Sequence, residues 1–265
     1  MKRRVRLVER FLSLLLVFLA AIARLSAGSL AYSGKSATAF RVADRIVVDG
    51  SLGEWNKQSP ILVDQKEQVI HDEGQWTGAD DCGVKAYVMW DEGSVYLAAE
   101  IMDDTPFMYR EGFPPDLADS LVLHIGVNPD ADPDRAAYEA EDFRLTMVID
   151  DYYFNTGIDR GMVEDKKGYE SRGEDGDEQV LDGYECAVAE IDGGYVFECV
   201  IPLGNFANDQ IPALIPQAGM SVGMEISMFD LDFPCPGVAN ARIAWSANAD
   251  IDVNPGLWGS VTFAD

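Results

Sequence analysis

From residue 40 to the end of the chain, short runs of β-branched and aromatic residues recur, each bounded by Gly, Pro, Asp or Asn. Runs of this length and composition read as strands, and helical periodicity is almost absent. They are Arg45–Gly50, Gly83–Trp90, Ser94–Ile101, Ser120–Val127, Phe143–Asp150, Tyr184–Glu190, Tyr195–Ile201, Ser221–Asp230, Ala241–Trp245 and Gly259–Phe263. Asp91-Glu92-Gly93 and Asp192-Gly193 supply tight hairpin turns between neighbouring runs. Pro202–Phe206 carries at most one short helical turn, and no internal repeat is evident. Many short strands with turns between them predict an all-β fold, a two-sheet antiparallel β-sandwich of jelly-roll or immunoglobulin-like kind. Two stretches, Asn128–Asp142 and Asp159–Asp182, are rich in Asp, Glu, Gly or Pro, have little to bury, and read as long surface loops.

The first 31 residues do not share this pattern. Lys2, Arg3, Arg4 and Arg6 precede an apolar run from Phe11 to Ala23, and the small-residue sites Leu25-Ser26-Ala27 and Ser29-Leu30-Ala31 follow. That is the layout of a secretory signal peptide. An uncleaved signal anchor is the competing reading, but the run is short for a bilayer span of about 20 residues. No Cys lies near the cleavage region, which disfavours lipoprotein processing. The expected division is therefore a signal peptide over 1–31, a short linker over 32–43 and one sandwich domain over 44–265. The mature chain is expected to be secreted, periplasmic or on the cell surface.

Charge narrows the partners. The whole chain has 20 basic and 46 acidic residues, a net charge of −26. The leader holds six of the basic residues and one acid, Glu9, so the remainder carries 14 basic against 45 acidic, a net of −31. Such a surface repels nucleic acid and anionic lipid and attracts cations. No nucleic-acid partner is expected, and no membrane once the leader is gone.

Four cysteines, Cys82, Cys186, Cys199 and Cys235, lie in the exported part, where disulfides form readily. One pairing follows from strand register. If Asp192-Gly193 is the hairpin loop, paired positions sum to 385, which sets Cys186 opposite Cys199. Counted out from the turn, this is a non-hydrogen-bonded pair, with Cα atoms about 4.5 Å apart. Cys82–Cys235 is the remaining, weaker pairing. The absence of any Cys-x-x-Cys spacing disfavours a metal site at the thiols.

Nothing in the sequence builds a catalytic centre. The two histidines, His71 and His124, have no Ser or Cys partner in a nucleophile motif, and no phosphate loop or dinucleotide fingerprint occurs. The chain reads as a non-enzyme that is at most associated with a glycoside hydrolase through partners.

Several motifs in order carry a resemblance. Val48-Asp49-Gly50-Ser51-Leu52-Gly53-Glu54-Trp55 is followed by Val84–Glu92, Val95–Ile101 with Asp103-Asp104, and Asp119-Ser120-Leu121-Val122-Leu123. Then come Asp142-Phe143-Arg144, Gly194-Tyr195-Val196-Phe197-Glu198, Ile201-Pro202, Val222-Gly223-Met224 and Trp245-Ser246. Together they resemble carbohydrate-binding module family 9 over residues 44–263. The resemblance implies a sandwich that binds an oligo- or polysaccharide without catalysis, between two tryptophans and a polar sheet face. Aromatic rings match the C–H faces of a sugar, and charged or amide groups satisfy its hydroxyls.

At the positions the resemblance assigns to the clamp, 113–118 and 250–254, no Trp occurs; Phe113 and Trp258 are the nearest substitutes. The family's glutamate on the Asp-Ser strand is Val122 here, its arginine survives as Arg144, and Thr146, Glu225 and Ser227 stand at the amide positions. By alternation His124 shares the face of Val122, away from Leu121, Leu123 and Ile125. Trp55 and Trp90 sit in framework motifs and are expected in the core. The expected ligand-binding set is thus Arg144, Thr146, His124, Glu225, Ser227, Phe113 and Trp258.

Two acidic groups are candidates for structural Ca²⁺. Asp130, Asp132 and Asp134 with Glu141 have oxygen-ligand spacing, although Arg135 stands where an EF-hand loop needs Gly. Asp103 and Asp104, at a strand end, are the second, since the resemblance implies calcium. A rival function on related sandwiches is haem b electron transfer, with His124 and one of Met102, Met147, Met224 or Met228 as axial ligands. A third is a protein–protein module that meets secreted or surface proteins.

Overall fold

The computed structural model describes residues 33–43, 45–107, 118–149, 159–165, 179–207, 209–232 and 241–265. Their extended segments are β1 (Ser36–Arg41), β2 (Ile61–Val63), β3 (Val69–His71), β4 (Cys82–Trp90), β5 (Ser94–Asp103), β6 (Ser120–Gly126) and β7 (Asp142–Ile149). The others are β8 (Asp159–Asp165), β9 (Gln179–Val180), β10 (Glu185–Ile191), β11 (Gly194–Pro202), β12 (Ser221–Asp230), β13 (Ala241–Ala244) and β14 (Gly259–Ala264). Short 3₁₀ turns occupy Lys66–Gln68, Leu203–Phe206 and Pro255–Leu257. Among the described residues no helix is long and apolar enough to cross a membrane.

Ladder hydrogen bonds join the strands in the order β10-β11-β5-β4-β1-β14-β12-β6-β7-β8-β9, with β2 on β4 and β13 between β12 and β3. β1 links the two halves and pairs parallel with both neighbours, β14 and β4; the remaining pairs are antiparallel. The sheet is therefore mixed at this one strand. One apolar cluster draws on both halves: Val84, Val88, Leu97 and Ile101 from β4 and β5, and Leu121, Leu123, Met224 and Ile226 from β6 and β12. The halves thus close over a shared core, as alternating apolar residues on both sheets require. Trp55 and Trp90 are buried, as expected of framework residues.

The hairpin expected at residues 184–201 has the predicted register. Ile191 pairs with Gly194 and Cys186 with Cys199, and the Cys186–Cys199 disulfide joins β10 to β11 across a Cα–Cα distance of 4.1 Å. Cys82 is a buried thiol at the start of β4, while Cys235 lies outside the described residues, as do Phe113 and residues 1–31.

Two expectations need correction. Residues 159–182 do not read through as one loop, because 159–165 form β8 against β7 and 179–180 form β9 against β8. Polar composition hid a strand whose backbone partners are available whatever its side chains. Conversely, Arg45–Gly50 joins no ladder, despite its β-branched residues.

Side chains hold that segment in place. The carboxylate of Glu198, buried in β11, accepts Asp49 N at 2.8 Å, Gly50 N at 2.7 Å and Trp55 Nε1 at 2.7 Å. Gly50 has φ +79°, and a Cβ there would meet Ala189 Cβ at 2.5 Å, so both conformation and space demand glycine. The Val-Asp-Gly…Glu-Trp motif is thus a backbone hook on one buried carboxylate. Glu198→Ala would orphan three donors and is expected to destabilise the domain by about 3 kcal/mol or more. Urea unfolding checks this; a loss below about 1 kcal/mol would show that other contacts hold the hook.

Candidate functional site

Strand alternation and register build a polar face on the outer side of β6, β7, β12 and β13. Leu121, Leu123 and Ile125 point into the core, which turns Val122 and His124 the other way. His124 lies opposite Arg144 on β7 and Glu225 on β12, giving one row of three ionisable groups. In the next row Val122 lies between Thr146 and Ser227, and Ser227 pairs with Ala244 of β13. Five of the expected binding residues therefore share one face. Arg242 of β13, which the sequence reading did not include, belongs to it too.

Charge on this face converges on one carboxylate from the loop after β13. Asp252 accepts hydrogen bonds from Arg242 Nη1 and Nη2, the latter at 3.1 Å, and lies 3.0 Å from His124 Nε2 and 3.8 Å from Arg144 Nε. Arg242 Nη2 also donates to Ser227 Oγ at 3.0 Å. Burial alone would raise the Asp252 pKa, but hydrogen bonds from His124 and Arg242 outweigh it and hold the carboxyl well below its usual range. Burial lowers His124 to about 4, so at neutral pH the ring is uncharged. Arg242 is the group that pins Asp252, through a bidentate pair.

Aromatic groups cover part of the face. Trp258 stacks at 5.4 Å from the His124 ring and 5.3 Å from Tyr138, with its Nε1 bonded to Ile251 O at 2.8 Å. It is fully buried. As a substitute for a clamp tryptophan it has no open face, so it is a packed roof over the polar row. The most accessible charged side chain is Asp252, 27 % exposed, with the edges of Arg144 and Arg242 beside it. Beneath the roof several buried polar atoms have no hydrogen-bond partner: His124 Nδ1, Thr146 Oγ1, Glu225 Oε2, Arg242 Nε and Ser246 Oγ.

The face does not suit axial haem ligation. Met147, Met224 and Met228 belong to the core cluster on the opposite side of the sheet from His124, and Met224 pairs with Ile125 rather than with His124. Alternation along β6 and β12 separates the two ligand types.

The acidic candidates are sorted differently from expectation. Asp103 and Asp104 part company: Asp103 gathers with Asp119 and Asp230, and Asp104 with Asp81 and Asp232. Asp130, Asp132, Asp134 and Glu141 join neither group. Asp132 caps the amide of Asp134 at 3.0 Å, Asn128 caps that of Asp130 at 3.0 Å, and Glu141 Oε1 accepts Asn128 Nδ2 at 3.2 Å. These are turn-forming bonds. Asp119, Asp230, Asp252 and Arg242 were missed by the sequence reading. The available signal was Arg242 itself, a charge in the apolar run Ala241-Arg242-Ile243-Ala244 that needs a buried partner.

The described strands form a β-sandwich that presents polar side chains across β6, β7, β12 and β13. The profile described as carbohydrate family 9 binding domain-like matches residues 48–265, and the chain belongs to that family. Two solved structures of a family 9 carbohydrate-binding module from Caldicellulosiruptor kristjanssonii share the fold. The one in complex with cellotriose is 16 % identical, covers 87 % of this chain and 94 % of its own, and has a TM-score of 0.57. The one in complex with glucose is 18 % identical, with 84 % and 94 % covered and a TM-score of 0.55. No curated protein matches the chain.

Glu225 gives the face a pH signature. Burial raises its pKa from 4.5 to about 7, against the opposing hydrogen bond from Ser246 N at 2.9 Å. A carboxyl with a raised folded pKa contributes stability that is full below pH 4.5 and lost as pH rises through about 7. Glu225→Gln keeps the acceptor for Ser246 and removes the ionisation. The variant is expected to match the wild type at low pH and to exceed it above neutrality by on the order of 3 kcal/mol. Thermal melts across that range check it; parallel curves for the two proteins would refute the assignment.

Proposed function

We propose that this chain is an exported, non-catalytic module that binds carbohydrate at the Asp252 mouth of the β6–β7–β12–β13 face. Family membership and a fold shared with modules bound to cellotriose and glucose support the reading. The observation that carries it is the open edge of this face, where Asp252, 27 % exposed, stands beside the guanidinium groups of Arg144 and Arg242. Asp252 and its arginines form an alternating acceptor and donor edge, and a pair of sugar hydroxyls can bridge such an edge. Neither clamp tryptophan is present, so hydrogen bonding rather than stacking supplies the affinity.

The expected ligands are soluble glucose oligomers and related glycans, tested by titration calorimetry and on a glycan array with and without calcium. Asp252→Asn should weaken binding by about 10-fold or more, the scale of one charge-assisted hydrogen bond. Arg144→Gln, at the same mouth, should weaken it similarly while the melting temperature stays close to the wild type. Full affinity in both variants would move the ligand elsewhere, and no glycan binding by the wild type would sink the reading.

Export rests on the basic start, apolar run and small-residue sites of residues 1–31. Expressed with its leader in a secreting host, the protein should appear outside the cytoplasm with a mature N-terminus near residue 32. Intact mass measures this, and a cytoplasmic product that retains Met1 would refute it.

A further inference from the structure

Glu225 and His124 stand directly opposite each other on β12 and β6, on the polar face, and both are fully buried. Opposed side chains on one face of an antiparallel pair have Cβ atoms within about 5.5 Å. Each of the two has one polar atom engaged and one without a hydrogen-bond partner. Glu225 Oε1 accepts the amide of Ser246 at 2.9 Å, and Oε2 has no partner. His124 Nε2 lies 3.0 Å from Asp252 Oδ1, and Nδ1 has no partner. The row thus runs from a buried carboxyl, through an imidazole, to the carboxylate at the open mouth.

Counting hydrogens fixes the role of each group. A neutral imidazole has one donor and one acceptor nitrogen, and the partner of one decides the role of the other. Burial keeps the His124 ring neutral near neutral pH, helped by the positive charges of Arg144 on β7 and Arg242 on β13. Asp252 is ionised and can only accept, so Nε2 donates and Nδ1 is left as an acceptor. Glu225 can meet that acceptor only as an acid, with the hydrogen on its free Oε2. The last torsion of a glutamate is broad, so a turn of the carboxyl closes the two atoms. Tyr138, the other titratable group beside the row, has its hydroxyl pushed up by burial. Glu225, raised to about 7 by burial, is the group of this face that changes charge near neutrality.

We propose that Glu225 is a positioning residue that acts on the mouth through His124: as an acid it donates to Nδ1 and so keeps the Nε2 hydrogen on Asp252. When Glu225 releases its proton to solvent, the ring exchanges its hydrogen from Nε2 to Nδ1 to meet the new carboxylate. The competition goes this way because two guanidinium groups already neutralise Asp252, whereas Glu225 forms no ion pair with any described Lys, Arg or His. Nε2 then turns a lone pair toward Asp252, the contact becomes repulsive, and the mouth loses one of the bonds that set its shape.

The effect on sugar rests on the carbohydrate reading, the ring tautomer does not, and the experiment reads both. The chain has two histidines, so replacing the exposed His71 in His71→Gln leaves His124 as the sole imidazole. With nitrogen-15-labelled histidine, NMR shifts tell the hydrogen-bearing ring nitrogen from the bare one. Expected is an Nε2–H ring at low pH that turns to Nδ1–H with a midpoint near pH 7. In Glu225→Gln the amide keeps a donor for Nδ1, so Nε2–H should persist up to about pH 9. Calorimetry with cellotriose should show wild-type affinity falling about 5-fold or more between about pH 5.5 and about pH 8.5. Glu225→Gln should show no such fall. An Nε2–H ring at every pH, or the same switch in Glu225→Gln, would overturn the proposal. So would a ring that switches while cellotriose affinity stays constant. Failure of the wild type to bind any glycan would sink the carbohydrate reading, and the ring data alone would then decide whether Glu225 sets the His124 tautomer.

Discussion

An arginine in the middle of a short inner strand has to find a carboxylate, because an unpaired guanidinium beneath a protein surface is prohibitively costly. Arg242 finds Asp252, and much of the second half of the domain follows from that pairing. The loop after β13 must turn back over the sheet to deliver the carboxylate. In doing so it packs Ile251 with Trp258 and lays Trp258 across His124. The same carboxylate faces the edge of Arg144, so one loop residue neutralises charge contributed by two strands.

This arrangement also accounts for a sequence oddity. Where the resemblance places a glutamate on β6, the chain has Val122, buried between Thr146 and Ser227. Besides Glu225 on β12, the face takes a second carboxylate, Asp252, from the loop after β13. A carboxylate on a strand is fixed by the sheet, whereas one on a loop is fixed only by what it binds. The family fold is thus kept, and this face draws one of its carboxylates from a loop.

Apart from the polar strand β8, the long strands were legible because β-branched and aromatic residues recur along them between turn signals, and the 186–199 register followed from a two-residue turn. The short strands β2 and β3 and the parallel strand β1 were not, since their pairing depends on distant partners that no local pattern encodes. Arg45–Gly50 looked like a strand because β-branched residues favour extended backbone whether or not a ladder receives it. On the polar face, His124, Arg144 and Glu225 were readable from alternation and resemblance together. Asp252 was not, because an acid in a loop of this very acidic chain is indistinguishable from a solvated one until its partner is known. The same holds for Asp119 and Asp230, which lie far apart in the sequence and meet only at the strand ends.

The Cys186–Cys199 bond joins the first strand in the hydrogen-bonding order to its ladder neighbour, β11. Outer strands are where sheets fray, slip by a residue or recruit foreign chains. A covalent rung inside the last hairpin removes the first two of those failures: β10 cannot peel away from β11, and its buried and exposed faces cannot exchange. The domain's margin is therefore sewn like the hem of a cloth, and on that side β10 and β11 can leave β5 only together, as one linked hairpin.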